Sequence, residues 1–325
     1  MKNHFKKLLL MALMAVMAVG LIACGTDKSD NESTKEEKTS VTITSLDASK
    51  NEIELEVPYN PKRIAILDLA SLDIIDELGV GDRVVGMAST SIDYLEKYSN
   101  DASIKNLGTI KEADLEAVME CEPDIIFIGG RLSKSYDALS EIAPVVYLAT
   151  DTNEGLVNSV SKNAKTIASI FGMEDKVDSL MSDFGARIDT IKKISSGKTA
   201  LVGMTTSGSF NLLGNDGRCS LICVEAGFNN LTAVGSTSTH GNESSFETVV
   251  QQNPDYIFVM DRDSAISTAG AKTAKEIVEN ELVKTTDAYK NNHIIYLEHS
   301  NVWYTAEGGI QALDIMLTDL EKGLK

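Results

Sequence analysis

From about residue 41 onward the chain alternates two kinds of pattern. Short apolar runs bounded by polar residues, at 63–67, 83–87, 125–128 and 145–148, read as buried strands. Between them apolar positions recur every three or four residues, as on one face of a helix. The segment 69–78 is such a helix, closed by Gly79, and another lies near 134–142. The second half repeats the scheme with strands at 198–204, 210–213, 256–260 and 293–297, a helix from about Ser220 and a terminal helix from Glu307. Ahead of both, residues 41–57 alternate in period two around a polar turn, which predicts a hairpin covering one sheet edge. Strands alternating with helices mean parallel sheets covered on both faces.

Two stretches carry this pattern residue for residue. Residues 116–131 read E-A-V-M-E-C-E-P-D-I-I-F-I-G-G-R and residues 247–262 read E-T-V-V-Q-Q-N-P-D-Y-I-F-V-M-D-R, identical at Glu, Val, Pro, Asp, Ile, Phe and Arg. Unrelated stretches of that length would share roughly one position, so the chain is read as an ancient duplication. In each copy a helix stops at Pro-Asp, a buried strand follows, and an arginine comes after it. Open α/β sheets bind ligands beyond the carboxyl ends of their strands, so Arg131 and Arg262 are aimed at one crevice. Arg63 and Arg83 precede strands and belong at the opposite edge.

Between the halves, Val177, Leu180, Met181, Phe184, Ile188, Ile191 and Ile194 predict a single amphipathic helix over 174–195. It would be roughly 33 Å long and act as a strut restraining closure. The expected fold is therefore α/β. Two Rossmann-like lobes with mainly parallel sheets, residues 43–150 and 197–325, are joined by one long helix within a connecting segment 151–196, and the ligand cleft lies between the lobes.

The amino terminus changes the picture from a free protein to a tethered one. Lys2, Lys6 and Lys7 precede an apolar run, residues 8–23, that is short for a bilayer span and ends in Leu21-Ile22-Ala23-Cys24-Gly25. Residues 1–23 read as a lipoprotein signal cleaved before Cys24, whose sulfur and new amino group would carry lipid, palmitate included. Residues 24–42 are polar and lack aromatics, a tether that cannot bury enough surface to fold. The body would sit on the outer face of the cytoplasmic membrane. A formal charge of −18 argues against nucleic acid or an anionic membrane surface as the ligand. A small anion stays open, because fields beyond about 8 Å are screened and local arginines decide. With Cys24 taken by lipid, Cys121, Cys219 and Cys223 have no CxxC or HxxxH partner and read as buried, inert thiols. The loop 235–245, small and polar, delivers one imidazole, His240.

These features converge on a family. The lipobox, the paired Pro-Asp strands, N-P-K-R-I-A-I-L-D at 60–68, G-G-R-L at 129–132, T-H-G at 239–241, D-Y-I-F-V-M-D-R at 255–262 and W-Y at 303–304 carry the likeness. Together they resemble the helical-backbone substrate-binding lipoproteins of iron-siderophore and cobalamin ABC importers, most closely the catecholate-siderophore receptors of enterobactin and petrobactin type. The resemblance implies a monomer that binds an anionic ferric catecholate siderophore, without intrinsic cofactor, and hands it to a membrane permease; iron travels within the ligand. It implies that Arg131, Arg218 and Arg262 form a basic floor, for which the planar, forked guanidinium suits catecholate oxygens better than lysine. Arg218 stands in an N-D-G-R turn that would equally suit a solvated arginine. His240 and Tyr304 would fill the two iron positions that a tetradentate bis-catecholate leaves open, the metal lowering a phenol that ordinarily ionises near pH 10. With a hexadentate ligand they would only hydrogen-bond. Tyr296, inside a strand, is a rival for the phenol, while His293 and His299 flank that strand. Trp303 would pack on a catechol ring or fill the lobe edge. Glu116 and Glu247, at matched points of the repeat, would engage arginine pockets of the permease.

Competing readings lack their residues. There is no G-x-S-x-G elbow, Walker loop, G-x-G-x-x-G or H-E-x-x-H, and a tethered hydrolase using His240 would need an acidic partner behind the imidazole. A receptor for bare metal would present three or four carboxylate or imidazole ligands, haem would want an axial ligand in an apolar cleft, and cobalamin is nearly uncharged.

Overall fold

The computed structural model describes residues 38–232 and 237–325, so the signal, Cys24, the tether as far as residue 37 and part of the 235–245 loop lie outside the described residues. The expected hairpin is present: β1 (Ser40–Leu46) and β2 (Glu52–Pro58) pair antiparallel. Next come β3 (Ile64–Ile66), helix α1 (Leu69–Glu77), β4 (Val84–Met87) and the two-residue strands β5 (Lys105–Asn106), β6 (Gly108–Thr109) and β7 (Glu112–Ala113). Helix α2 (Leu115–Glu120), β8 (Ile125–Ile128), α3 (Tyr136–Ser140) and β9 (Val145–Tyr147) complete this half. Its sheet has the order β5-β4-β3-β8-β9, parallel throughout.

The second half contains β10 (Thr199–Thr206), β11 (Ser209–Leu212), β12 (Asn229–Asn230) and β13 (Asn242–Glu243). It continues with helix α7 (Phe246–Gln252), β14 (Tyr256–Asp261) and β15 (Ile294–Tyr296), where α4 to α6 belong to the connecting segment described below. The order is β13-β11-β10-β14-β15; β10, β14 and β15 run parallel, whereas β11 and β13 form an antiparallel edge. The Pro-Asp pair has the same task in both copies. Asp124 accepts the backbone N–H groups of Lys62 and Arg63 at 2.7 and 2.9 Å, and Asp255 accepts that of Thr199 at 2.8 Å. Each carboxylate splints the start of the neighbouring strand.

Alternation along the central strands divides the interior. Ile125, Phe127, Val202, Met204, Phe258 and Met260 point into one apolar core shared by both halves. Ile126 and Ile128 face a second cluster covering the outside of the first sheet, and Leu201, Ile257 and Val259 a third outside the other. Burial on both faces is why these strands are apolar without alternation.

The connecting segment departs from expectation. Its longest helix is α4 (Leu156–Phe171), about 24 Å long, which ends at Gly172 in the left-handed conformation. The predicted strut over 174–195 is two helices, α5 (Glu174–Leu180) and α6 (Phe184–Ser195). At the break the Ser182 hydroxyl donates to the Ser179 carbonyl at 2.9 Å, a local bond that competes with the helical ladder. Val177, Phe184, Ile188 and Ile191 are buried on either side of the break, so the apolar spacing ran on while the backbone did not. The terminal helix expected from Glu307 is α9 (Ile310–Gly323), with a short separate helix α8 (Ser300–Thr305) before it, whereas the helix expected from Ser220 is one π-helical turn, Leu221–Glu225.

Candidate functional site

Both repeat arginines stand just beyond their strands, and they meet on one ring. The guanidinium carbons of Arg131 and Arg262 lie 5.4 and 5.6 Å from the centroid of Tyr304, and Arg218 lies 4.6 Å from it. Arg131 donates to the Tyr304 carbonyl at 2.8 Å across 173 residues of sequence, and Arg262 Nε donates to the phenol oxygen at 3.2 Å. Arg262 is also held by Thr206 and by buried Asp263 at 3.3 Å. Among the described residues neither Arg131 nor Arg218 forms an ion pair, so two guanidiniums stand at the cleft without a counter-charge in contact.

Close approaches of backbone explain the motifs that carry these side chains. A β-carbon on Gly129 would lie 2.4 Å from an oxygen of Asp68, the residue that caps helix α1. Gly241 has φ of +76°, and a β-carbon there would meet the Leu212 carbonyl at 3.1 Å, so T-H-G packs its loop against β11 only with glycine third. Arg218 donates to the Thr239 carbonyl at 2.9 Å and Asn211 to that of His240 at 2.9 Å, which anchors the exposed imidazole beside the arginines. A cavity of about 550 Å³ opens here, with Arg131, Arg218 and Tyr304 in its wall. Arg262 and His240 are not part of that wall; Arg262 reaches it through the phenol.

The electrostatics lower the proton affinity of two groups. Burial opposes ionisation of Tyr304, but the hydrogen bond from Arg262 and the charges of Arg218, Arg262 and Lys111 outweigh it and hold the phenol below its ordinary range. His240 is held below the usual imidazole range by desolvation and then by Arg262, Arg218, Lys111 and Arg131, which leaves a neutral ring with a free lone pair. A phenol readied for ionisation and a neutral imidazole are a donor set for a hard trivalent cation. Tyr304 is only 3% exposed beneath its arginines.

Trp303 does not belong to this site. It is fully buried, and its indole N–H donates to Asp319 at 2.9 Å. Neighbours on a helix point about 100° apart, so α8 turns Tyr304 to the cleft and Trp303 into the shared core. Tyr296 bonds Glu279 at 3.2 Å, His293 stacks on Tyr256, and His299 pairs with Asp319 at 2.7 Å. Arg63 and Arg83 bind backbone carbonyls of Cys121 and Pro61 at the other strand ends. The three described cysteines are free and buried; burial pushes the Cys223 thiol up to about 12 and raises Cys219 and Cys121 as well. Two cavity-region residues carried no sequence signal, Lys111 at the β6–β7 turn and the carboxylate Glu307, and Asp68, which closes the 60–68 motif, was given no role there.

Glu116 and Glu247 are exposed, and each is the second residue of a capped helix. Asp114 accepts from the Ala117 N–H at 3.0 Å, and Ser245 from the Thr248 N–H at 3.3 Å. The duplication is thus preserved down to the capping of the two helices.

Comparison with known proteins assigns the chain to a family. The family model described as periplasmic binding protein matches residues 64–300. The chain belongs to that family. Its members bind solutes and are not a catalytic family. The petrobactin-binding protein YclQ of Bacillus subtilis is 35% identical over 98% of this chain and 99% of its own. Its crystal structure superposes with a TM-score of 0.81 at 36% identity, covering 88% of this chain and 99% of that one. The periplasmic catecholate-siderophore binding protein VctP of Vibrio cholerae gives 0.78 at 31% identity, covering 87% and 100%. The α/β class and the parallel sheets are those of this family.

Proposed function

We propose that the protein is the extracytoplasmic receptor of an iron-siderophore ABC importer, binding an anionic ferric catecholate and delivering it to the permease. The carrying observation is that Arg131, Arg218 and Arg262, drawn from both halves, converge on the Tyr304 ring. Three guanidiniums are superfluous for a bare cation and for uncharged cobalamin, whereas a ferric catecholate brings both negative charge and flat oxygen-rich rings. The similarity to the petrobactin-binding protein YclQ and the catecholate-siderophore binding protein VctP supports the same reading. In it the arginines neutralise the chelate, and His240 and Tyr304 enter iron positions that an incomplete catecholate leaves vacant. Glu116 and Glu247 dock the two halves, residues 43–150 and 197–325, on the permease. Lipid on Cys24 anchors a monomer at the outer face of the cytoplasmic membrane, and no reaction is catalysed.

The test is a titration of the mature protein with ferric bis-catecholate, ferric tris-catecholate, ferric citrate, haem and cobalamin. Submicromolar binding of a catecholate complex, with cobalamin and haem at least a hundredfold weaker, is the expected result. Preference for haem, cobalamin or citrate would overturn the assignment.

A further inference from the structure

One carboxylate in the cavity wall has no part in the reading above. Glu307 lies between α8 and α9, three residues beyond Tyr304, and lines the same cavity as Arg131 and Arg218. One of its oxygens accepts the Cys219 backbone N–H at 2.9 Å. Cys219 follows Arg218 and holds φ of +62°, a left-handed conformation that side-chain-bearing residues seldom adopt unaided. The bond therefore ties the Arg218 turn to the Tyr304 segment. Among the described residues no hydrogen bond reaches the other oxygen, and Arg218 and Arg131 act on it across space.

The charged groups around it come from every neighbouring element. Arg218, Cys219 and Glu225 face it from the turn and the helical turn after it, and Arg131 from the first sheet. Asp68 and Asp216 share the cavity wall. Burial disfavours the ionised form; the Cys219 N–H and Arg218 pull the other way, Glu225 adds to burial, and Arg131 opposes it, leaving the carboxyl pushed up to about 7.

We infer that Glu307 is a positioning residue for Arg218 that also takes up one proton from solvent when an anionic chelate enters, so that ligand charge and pH are coupled in this cavity. This rests on the anion reading of the site. The proton binds the oxygen not engaged by Cys219, so the anchor survives protonation. An incoming anion raises the carboxyl further, hence the complex holds more protons than the empty protein. Affinity is then greatest on the acid side and falls as pH rises through neutrality, by up to about tenfold between pH 6 and pH 8 for one proton.

The probe is preassembled ferric bis-catecholate, titrated into wild type, Glu307→Gln and Glu307→Ala from about pH 6 to pH 8. Changes in the probe's own speciation affect all three alike and cancel in the ratio of Kd values. Glutamine keeps an acceptor for the Cys219 N–H but cannot ionise. It should match wild type near pH 6 and bind about tenfold more tightly near pH 8, and calorimetry in buffers of different ionisation enthalpy should lose the proton uptake seen with wild type. Alanine, lacking the anchor, should be weaker than glutamine at every pH. A Gln-to-wild-type ratio that stays flat with pH, or alanine equal to glutamine, overturns this inference while leaving the anion reading intact. Failure of the wild type to bind the probe at any pH removes the anion reading and this inference with it.

Discussion

Arg131→Ala is the substitution whose effect the geometry specifies most closely. Its guanidinium is half-buried, donates to the Tyr304 carbonyl and has no ion-pair partner among the described residues. Desolvation, then the like charge of Arg218, holds it below the ordinary arginine range, so the empty site bears an electrostatic cost that an anion would relieve. A charge-assisted hydrogen bond contributes about 1.5–3 kcal/mol, which corresponds to roughly ten- to 150-fold in Kd. Arg131 belongs at the upper end because, among the described residues, no carboxylate pairs with it in contact; Tyr304 and Asp68 act on it across space. Arg262→Ala belongs at the lower end, since Asp263 at 3.3 Å already offsets part of its charge. Arg131→Lys should recover only part of the loss, keeping the charge without the planar fork. The assay is quenching of Trp303, the chain's one tryptophan, by a coloured ferric catecholate; energy transfer from a buried indole requires no contact. Arg63→Ala is the control, because Arg63 binds the Cys121 carbonyl at the opposite strand ends and should alter stability but not Kd. Losses below about threefold for Arg131→Ala, or equal losses for Arg63→Ala, would refute the claim that the converging guanidiniums bind the ligand.

Two further outcomes follow from other parts of the site. His240→Ala combined with Tyr304→Phe should weaken a tetradentate ferric bis-catecholate far more than a hexadentate tris-catecholate, which has no vacant iron position; equal losses in parallel titrations would remove direct ligation. Charge reversal of Glu116 and Glu247 together should abolish cellular uptake of labelled ferric siderophore while Kd of the purified protein is unchanged, and normal uptake would end the docking assignment.

Much of the architecture was legible in one dimension because it depends on local spacing. The apolar runs at 125–128 and 256–260 identified the central strands, since a strand buried on both faces must be apolar at every position. The helix over 174–195 was misread for a related reason. Periodicity reports which face is buried, and α5 and α6 bury the same face on either side of the Ser182 break. Trp303 and Tyr304 illustrate a second limit: adjacent letters on a short helix gave no indication of which one faced the cavity and which the core.

What the sequence determined by itself was the duplication, and with it the two arginines: a parallel strand delivers the residue after its carboxyl end to the crevice wherever the rest of the chain lies. What only the tertiary structure decided was the company those arginines keep. Tyr304 is 173 residues from Arg131 in sequence, Lys111 comes from the β6–β7 turn, and Glu307 reaches Cys219 across 88 residues. Such partners are chosen by how the two sheets pack against the helices between them, and the perturbed protonation of Tyr304, His240 and Glu307 follows from the burial, hydrogen bonds and neighbouring charges that this packing imposes.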